Sequence, residues 1–431
     1  MKRSSIKIAC GYLRNTSTFV VSGIIALVYL TSEAAPKRMI EYFKPIPLVG
    51  KLTTSGWGYK TVGPHDPLNG LENTGKYWYW DGKIMKDPKN GKYHMFASRW
   101  NVNPEGIRIW MSASISVHAV SDSLLGPYED LGPTYTYQNS KGHNTTALML
   151  KDSTYAVVES AVVPGWIFTS KTLDGPFTYK GSISWNNNGF NIPSPTANLT
   201  IFIGPDNKYW GFSNAGAVMN NADDVLGKYE VRTSMVYLPN QGEDMGRAED
   251  PIMWYSGGFF HVVYNYWDTR RSYHIMSRDG VHNWINTGLA IDRGTDFCRY
   301  TDGTVNHWGN MERPNVYMEN GHVVAFTFAV TDNWKDSANS STAGKILVVP
   351  FDGEKFDADS GGTKIATVGI SSRSSGDIAG SSVDAGDLKG TMVDLSGRAV
   401  RNSIMPKSGI YMVQTADGRR IKKTFNFGNE R

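Results

Sequence analysis

Three carboxylates stand at comparable places along this chain: Asp81 in Trp80-Asp-Gly-Lys-Ile, Asp250 in Ala248-Glu-Asp-Pro-Ile-Met-Trp254, and Glu312 in Met311-Glu-Arg-Pro-Asn-Val-Tyr317. Each opens an apolar run, a Gly or Asn turn follows, and a second apolar run returns, over residues 92–98, 258–264 and 322–328 respectively. Carboxylates gathered into one pocket repel one another, so at least one is expected to keep its proton at a raised pKa. A protonated carboxyl opposite an ionised one suits glycosidic cleavage. One protonates the leaving oxygen, and the other activates water or attacks the anomeric carbon.

The neighbours of these acids are the next candidates. Glu249 adjoins Asp250, but adjacent residues on a strand face opposite sides, so one of the two is expected to face the site. Asp250 is chosen because its setting matches that of Asp81, and Glu249 is left to pair with a cation such as Arg247. Arg313 reads as a rim salt bridge, or as a clamp for a substrate anion. His143 and Asn144, in Gly142-His-Asn-Thr-Thr-Ala-Leu148, and His307, five residues before Glu312, are read as substrate contacts, with His307 an alternative acid. Trp78, Trp80, Trp100, Trp254, Trp267 and Trp308 cluster around the acid motifs. Some must be core, while two or three can stack on the C–H faces of sugar rings, and Trp80 and Trp254 are the choices made here. His-x-x-x-His and paired-Cys spacings are lacking, so no zinc site or other metal is expected, and no cofactor.

Isolated acids can converge only if the chain brings strand starts together. From Tyr77 to Phe356 the sequence is a succession of short apolar runs broken by Gly, Asp and Asn, with no sustained helical period. Residues 121–128, 170–177 and 221–229 are versions of one turn, and their Gly126, Gly175 and Gly227 lie 49 and 52 residues apart. That period fits four-stranded propeller blades. Inner-strand starts set on the same ruler fall at Asp81, Asn144, about Thr196, Asp250 and Glu312. The expected fold is all-β, a five-bladed β-propeller whose inner strands aim these residues into one funnel, with a small C-terminal β-module.

Composition agrees with that picture. Of the 431 residues 19% are charged and 12% aromatic, and the formal charge is only +4. No basic cluster lies beside an aromatic platform in the main body, so nucleic acid is not an expected partner. Residues 1–34 carry Lys2, Arg3, Lys7 and Arg14, then an apolar run of about a dozen residues and Ser32-Glu-Ala34, the pattern of a cleaved secretory signal. An uncleaved anchor is the alternative. The expected location is secreted or cell-surface, with no membrane span after cleavage. Cys10 falls in that segment, which leaves Cys298 alone and without a disulfide partner; with no motif around it, it reads as a spectator thiol. The propeller is expected over residues 35–358, a Ser/Gly-rich linker over 359–386 and a β-module over 387–431.

Trp80-Asp-Gly-Lys-Ile84, Lys92-Tyr-His-Met-Phe-Ala-Ser-Arg99, Gly142-His-Asn144, Glu249-Asp-Pro251 and Glu312-Arg-Pro314 resemble the glycoside hydrolases related to family 43. These belong to the five-bladed arabinanase, levansucrase and invertase group, and the order of acids is also similar to that of family 117. The resemblance covers residues 60–356. It implies hydrolysis of oligo- or polysaccharide, with a first-blade Asp as base or nucleophile, a later Asp as modulator and a Glu as proton donor, here Asp81, Asp250 and Glu312. It favours the inverting course. Asn144 departs from the pattern, standing where family 43 has an Asp. The C-terminal run with Asp394, Gly397-Arg398, Ser408-Gly-Ile-Tyr-Met-Val413 and Lys422-Lys423 resembles the sorting domains of type IX bacterial secretion, which implies that export machinery is a partner. A carbohydrate-binding propeller without catalysis is the main alternative. A glycoside phosphorylase is another, with Arg247, Arg270, Arg271 and Arg313 as its available basic groups.

Overall fold

The computed structural model describes residues 38–54, 56–57, 60–61, 63–73, 75–102, 109–192, 194–237, 248–266, 271–332, 344–361, 392–393, 408–414 and 420–426. The chain divides into two compact units, Met1–Ile365 and Ala366–Arg431. Among its described residues the first is all-β apart from short helical turns and the helix Gly353–Gly361.

Its strands form a β-propeller. The first blade runs Tyr77–Lys86, Tyr93–Asn101, Ile115–Ser121 and Glu129–Pro133, and the second His143–Met149, Tyr155–Ala161, Trp166–Ser170 and Thr178–Ser182. The third runs Thr200–Ile203, Tyr209–Phe212, Val218–Ala222 and Tyr229–Thr233, with Trp185–Asn186 added in parallel at its edge. Ala248–Ser256, Phe259–Tyr266, Arg271–Ser277 and Ile285–Asp292 make the fourth, and Asn310–Glu319, His322–Thr331 and Gly344–Pro350 the fifth. Successive strands within each blade pair antiparallel, as Gly and Asn turns allow. The inner strands touch in cyclic order, first to second, second to third, third to fourth, fourth to fifth and fifth to first. A parallel contact of Gly344 with Trp78 joins the last blade to the first. Past their starts, the inner strands of all five blades line a cavity of about 300 Å³.

The repeated turn lies where the third strand of a blade hands over to the fourth. Gly126, Gly175 and Gly227 each take a positive φ. At Gly126 a Cβ would fall 2.7 Å from the Leu68 carbonyl, and at Gly227 2.3 Å from that of Ser184. Close backbone approach, as well as the left-handed conformation, therefore requires glycine there.

Residues 38–73 show no periodicity in sequence, yet they are built into the fold. Met39, Tyr42, Ile46 and Trp57 are buried in the core shared by the fourth and fifth blades. Glu72 accepts from Trp57 Nε1 and pairs with the enclosed Lys345, both at 2.8 Å. Residues 359–361, expected to open a linker, instead finish the helix Gly353–Gly361, and Asp359 accepts from Tyr42 at 2.8 Å. The rest of the expected linker, and the segment 1–34 with Cys10, lie outside the described residues. Among the described residues no helix is long and apolar enough to cross a membrane. The second unit has a three-stranded antiparallel sheet of Met392–Val393, Ser408–Gln414 and Arg420–Asn426. Asp394, Gly397 and Arg398 lie outside the described residues.

Two blades bury the same histidine pair. His94 Nδ1 lies 2.8 Å from His118 Nε2 in the first, and His261 Nδ1 lies 3.0 Å from His274 Nε2 in the fourth, at the same strand register. Burial pulls His118 and His261 down to about 4 and lowers His94 and His274 as well. These rings stay neutral in the fold, whereas the unfolded chain protonates them near pH 6.5. Stability is therefore fully present above pH 6.5 and is lost as pH falls towards 4, by roughly 3 kcal/mol for each of His118 and His261. Thermal midpoints recorded from pH 7 to 4 should fall steeply over that window. Replacing His94 and His118 together by Leu should reduce the slope, and an unchanged slope would show that other groups carry it.

Candidate active site

Each inner strand has one residue near its start with left-handed backbone: Asp81 (φ 72°), Asn144 (58°), Asn198 (46°), Asp250 (52°) and Arg313 (52°). Asp and Asn tolerate this region and Arg does so at a cost, so four of the five positions suit their residues. Ladder register shifts just after Asp81, around Asp250 and around Arg313, which marks bulges there. Bulges re-aim side chains, here towards the propeller axis.

Hydrogen bonds join the five side chains in a line from Asp81 to Asn144, and the Thr145 backbone beside Asn144 closes it into a ring. Arg313 donates from Nε to Asp81 Oδ1 at 2.8 Å and from Nη1 to Asp250 Oδ1 at 3.3 Å. Asn198 donates to the same Asp250 oxygen at 2.7 Å, and Asn144 donates to Asn198 Oδ1. The Thr145 N–H closes the circle on Asp81 Oδ2 at 3.0 Å, where the Ser98 hydroxyl also donates. Asp81 is fully enclosed. Burial pushes its carboxyl up, and Arg313, Ser98 and Thr145 only partly offset that.

A second set of residues precedes the ring by one position: Trp80, His143, Ala197, Glu249 and Glu312. One carboxylate oxygen from each of Glu249, Asp250 and Glu312 lies within 4.8 Å of the other two. Glu249 therefore does not face away from Asp250. The left-handed residue and the shifted ladder break strand alternation, so both side chains reach the same place. Glu312 is buried and accepts from Asn310 Nδ2 at 2.8 Å, while Glu249 is half-buried. Among the described residues these three acids are the group that could hold a metal ion. An all-carboxylate set suits calcium or magnesium better than zinc.

Several sequence expectations are corrected here. The third inner-strand position is Asn198, two residues beyond Thr196. In the fifth blade the ring position belongs to Arg313, with Glu312 one residue behind. Arg313 is a buried hub between two aspartates and not a rim residue. Trp254 is buried, donates to Ser256 Oγ and stacks on His261, so it is core and not a sugar platform. Trp80 is likewise buried, beside Trp100, and Trp78, Trp100 and Trp308 are core residues. His143 is buried, with Nδ1 2.9 Å from Ser114 Oγ and its ring stacked on Trp110 at 4.3 Å. Trp110, half-exposed and stacked on His143, is an aromatic that no sequence motif marks. His307 is exposed and approaches the Arg293 carbonyl at 3.4 Å. Arg271 pairs with Asp292, and Trp267, Arg247 and Arg270 lie outside the described residues. Cys298 is buried and its thiol pushed well up, in keeping with a spectator.

No protein-family profile matches this sequence, and no curated protein does. Among solved structures, the chain is similar to a family 43 β-1,3-galactosidase at 12% identity and TM-score 0.44, covering 70% of this chain and 60% of that one. A family 117 glycoside hydrolase from the marine bacterium Zobellia galactanivorans is similar at 14% identity and TM-score 0.44, over 66% of this chain and 88% of that one. An endo-arabinase from Bacteroides thetaiotaomicron is similar at 13% identity and TM-score 0.41, over 64% and 94%.

Proposed function

We propose that this protein is a secreted glycoside hydrolase acting on oligosaccharides derived from plant or algal polysaccharides. The observation that carries the reading is the convergence of Glu249, Asp250 and Glu312 on one point, with Asp81 held nearby through Arg313. Three carboxylates so close cannot all ionise freely. Arg313 is paired with Asp250 and Asp81, and the catalytic proton is assigned to the Glu249–Glu312 pair. Glu249 is the less buried of the two and is assigned as proton donor, in place of Glu312. Glu312, fixed by Asn310, keeps that proton on its neighbour. Asp81 is assigned as base: among the described residues its Oδ1 accepts only from Arg313, which leaves a lone pair for a water molecule.

The funnel of a closed propeller favours chain ends, which supports exo-action. Residues 387–431 are read as the export-sorting module. Deleting them should leave the enzyme cell-associated.

The complete enclosure of Asp81 favours a second reading, a carbohydrate-binding propeller without turnover. Incubating the purified protein with panels of plant and algal oligosaccharides, and identifying the released sugars, separates the two. Released monosaccharide or disaccharide supports hydrolysis. Saturable binding with no product across the panel supports the binding module and ends the catalytic reading.

A further inference from the structure

Glu159 is a buried acid that the catalytic assignment leaves unused. It lies on the second strand of the second blade, directly across from Thr145, and is fully enclosed. Its Oε2 is 2.9 Å from Thr145 Oγ1, which is 3.2 Å from Ser98 Oγ, which in turn is 2.5 Å from Asp81 Oδ2. Its Oε1 has no hydrogen-bond partner among the described residues. Space for the carboxyl is made by Gly142, where a Cβ would fall 2.4 Å from Glu159 Oε2 and 2.7 Å from the Tyr135 hydroxyl.

The charged and titratable groups facing Glu159 are Asp81 and the Tyr135 phenol, with Arg313 beyond Asp81 on its far side. An ionised carboxylate there would repel Asp81 and be poorly served in a dry interior, because the nearby Ser116 and Tyr135 hydroxyls, which favour its charged form, donate to Thr134 Oγ1 and the Lys141 carbonyl. A neutral acid can leave its carbonyl oxygen unpaired at far lower cost. Burial accordingly pushes the Glu159 carboxyl up to about 8.

We propose that Glu159 is a positioning residue for Asp81: a neutral carboxylic acid heading a chain of donors through Thr145 and Ser98 that ends on the Asp81 carboxylate. The direction follows from counting protons. Each hydroxyl has one proton to give. If the Glu159 O–H donates to Thr145, then Thr145 can donate to Ser98 and Ser98 to Asp81, and each bond polarises the next. Once Glu159 loses its proton, Thr145 must turn back to it. The chain is cut, and a second negative charge faces Asp81. The part of Asp81 in catalysis rests on the hydrolase reading, whereas the protonation of Glu159 does not.

Two sets of measurements test the proposal. The infrared difference spectrum of wild type minus Glu159→Gln at pH 7 should show one carbonyl stretch of a protonated buried carboxyl, lost in the variant, while any band of the Glu249–Glu312 pair is common to both and cancels. Because the folded-state pKa is raised, wild-type stability should fall relative to Glu159→Gln as pH rises from about 4.5 through about 8, the wild type being the form that must hold the extra proton. In turnover, Gln keeps a donor facing Thr145 at every pH, so the alkaline limb should move upward and the variant should outpace the wild type about tenfold at pH 9. Glu159→Leu should lower kcat at every pH with KM held. A wild type and Gln variant sharing one infrared spectrum, or one alkaline limb, would overturn the proposal. Should no oligosaccharide be cleaved, the hydrolase reading fails alone. The infrared test still stands, and the carbon-13 carboxyl signal of Asp81, displaced by Glu159→Leu but held by Glu159→Gln, then tests the positioning.

Discussion

Glu249→Gln should remove nearly all turnover on natural oligosaccharides, by about 10²–10⁴-fold, the range a positioned acid or base contributes. The fold should survive, because Glu249 is half-buried and Gln replaces it at almost the same size. The loss should be smallest on aryl glycosides, whose leaving groups need little protonation, and that contrast identifies the residue as the donor. Asp81→Asn should lose a similar factor without the contrast, since a base is needed whatever the leaving group. Glu312→Gln is the discriminating control. With Glu249 as donor, this variant should shift the pH dependence more than it lowers the maximal rate. A selective defect on poor leaving groups in Glu312→Gln, with Glu249→Gln active, would move the donor to Glu312.

Arg313→Met should be the most destabilising single change at the site. Arg313 is nearly fully buried and holds Asp81 at 2.8 Å and Asp250 at 3.3 Å. Removing the cation leaves two buried carboxylates facing one another, a loss of about 3–5 kcal/mol by analogy with broken buried pairs. The sign of the pH dependence can be worked out. Without Arg313 the buried carboxyls have pKa values above those of the unfolded chain, so stability is retained at low pH and lost as pH rises. Denaturant midpoints compared at pH 4.5 and 7.5 should therefore show the larger defect at the higher value. The triple replacement Asp81→Asn, Asp250→Asn, Arg313→Met should recover much of the loss, because neutral groups need no counter-charge. If Arg313→Met matches the wild type at both pH values, the ring is hydrated and the buried-pair argument fails.

Much of this arrangement is determined by the sequence alone. Alternating apolar runs with Gly and Asn turns at a spacing near 50 residues are local signals, and they suffice for an all-β propeller with inner-strand starts at Asp81, Asn144 and Asp250. Those residues are legible because Asp and Asn are the types that accept left-handed backbone at low cost. Only the tertiary structure decided the rest. Arg313 is a poor left-handed residue by type, so nothing local marks it as the fifth ring member, and Glu312 stood out in its place. Strand alternation sent Glu249 to the wrong face, because a bulge is a property of two paired strands and leaves no period in either one. Trp254 and Trp110 differ in exposure through what packs on them from other blades. Glu159 lies in an ordinary apolar strand, and its environment exists only once Thr145 and Gly142 from one segment of the chain and Ser98 from another are brought around it.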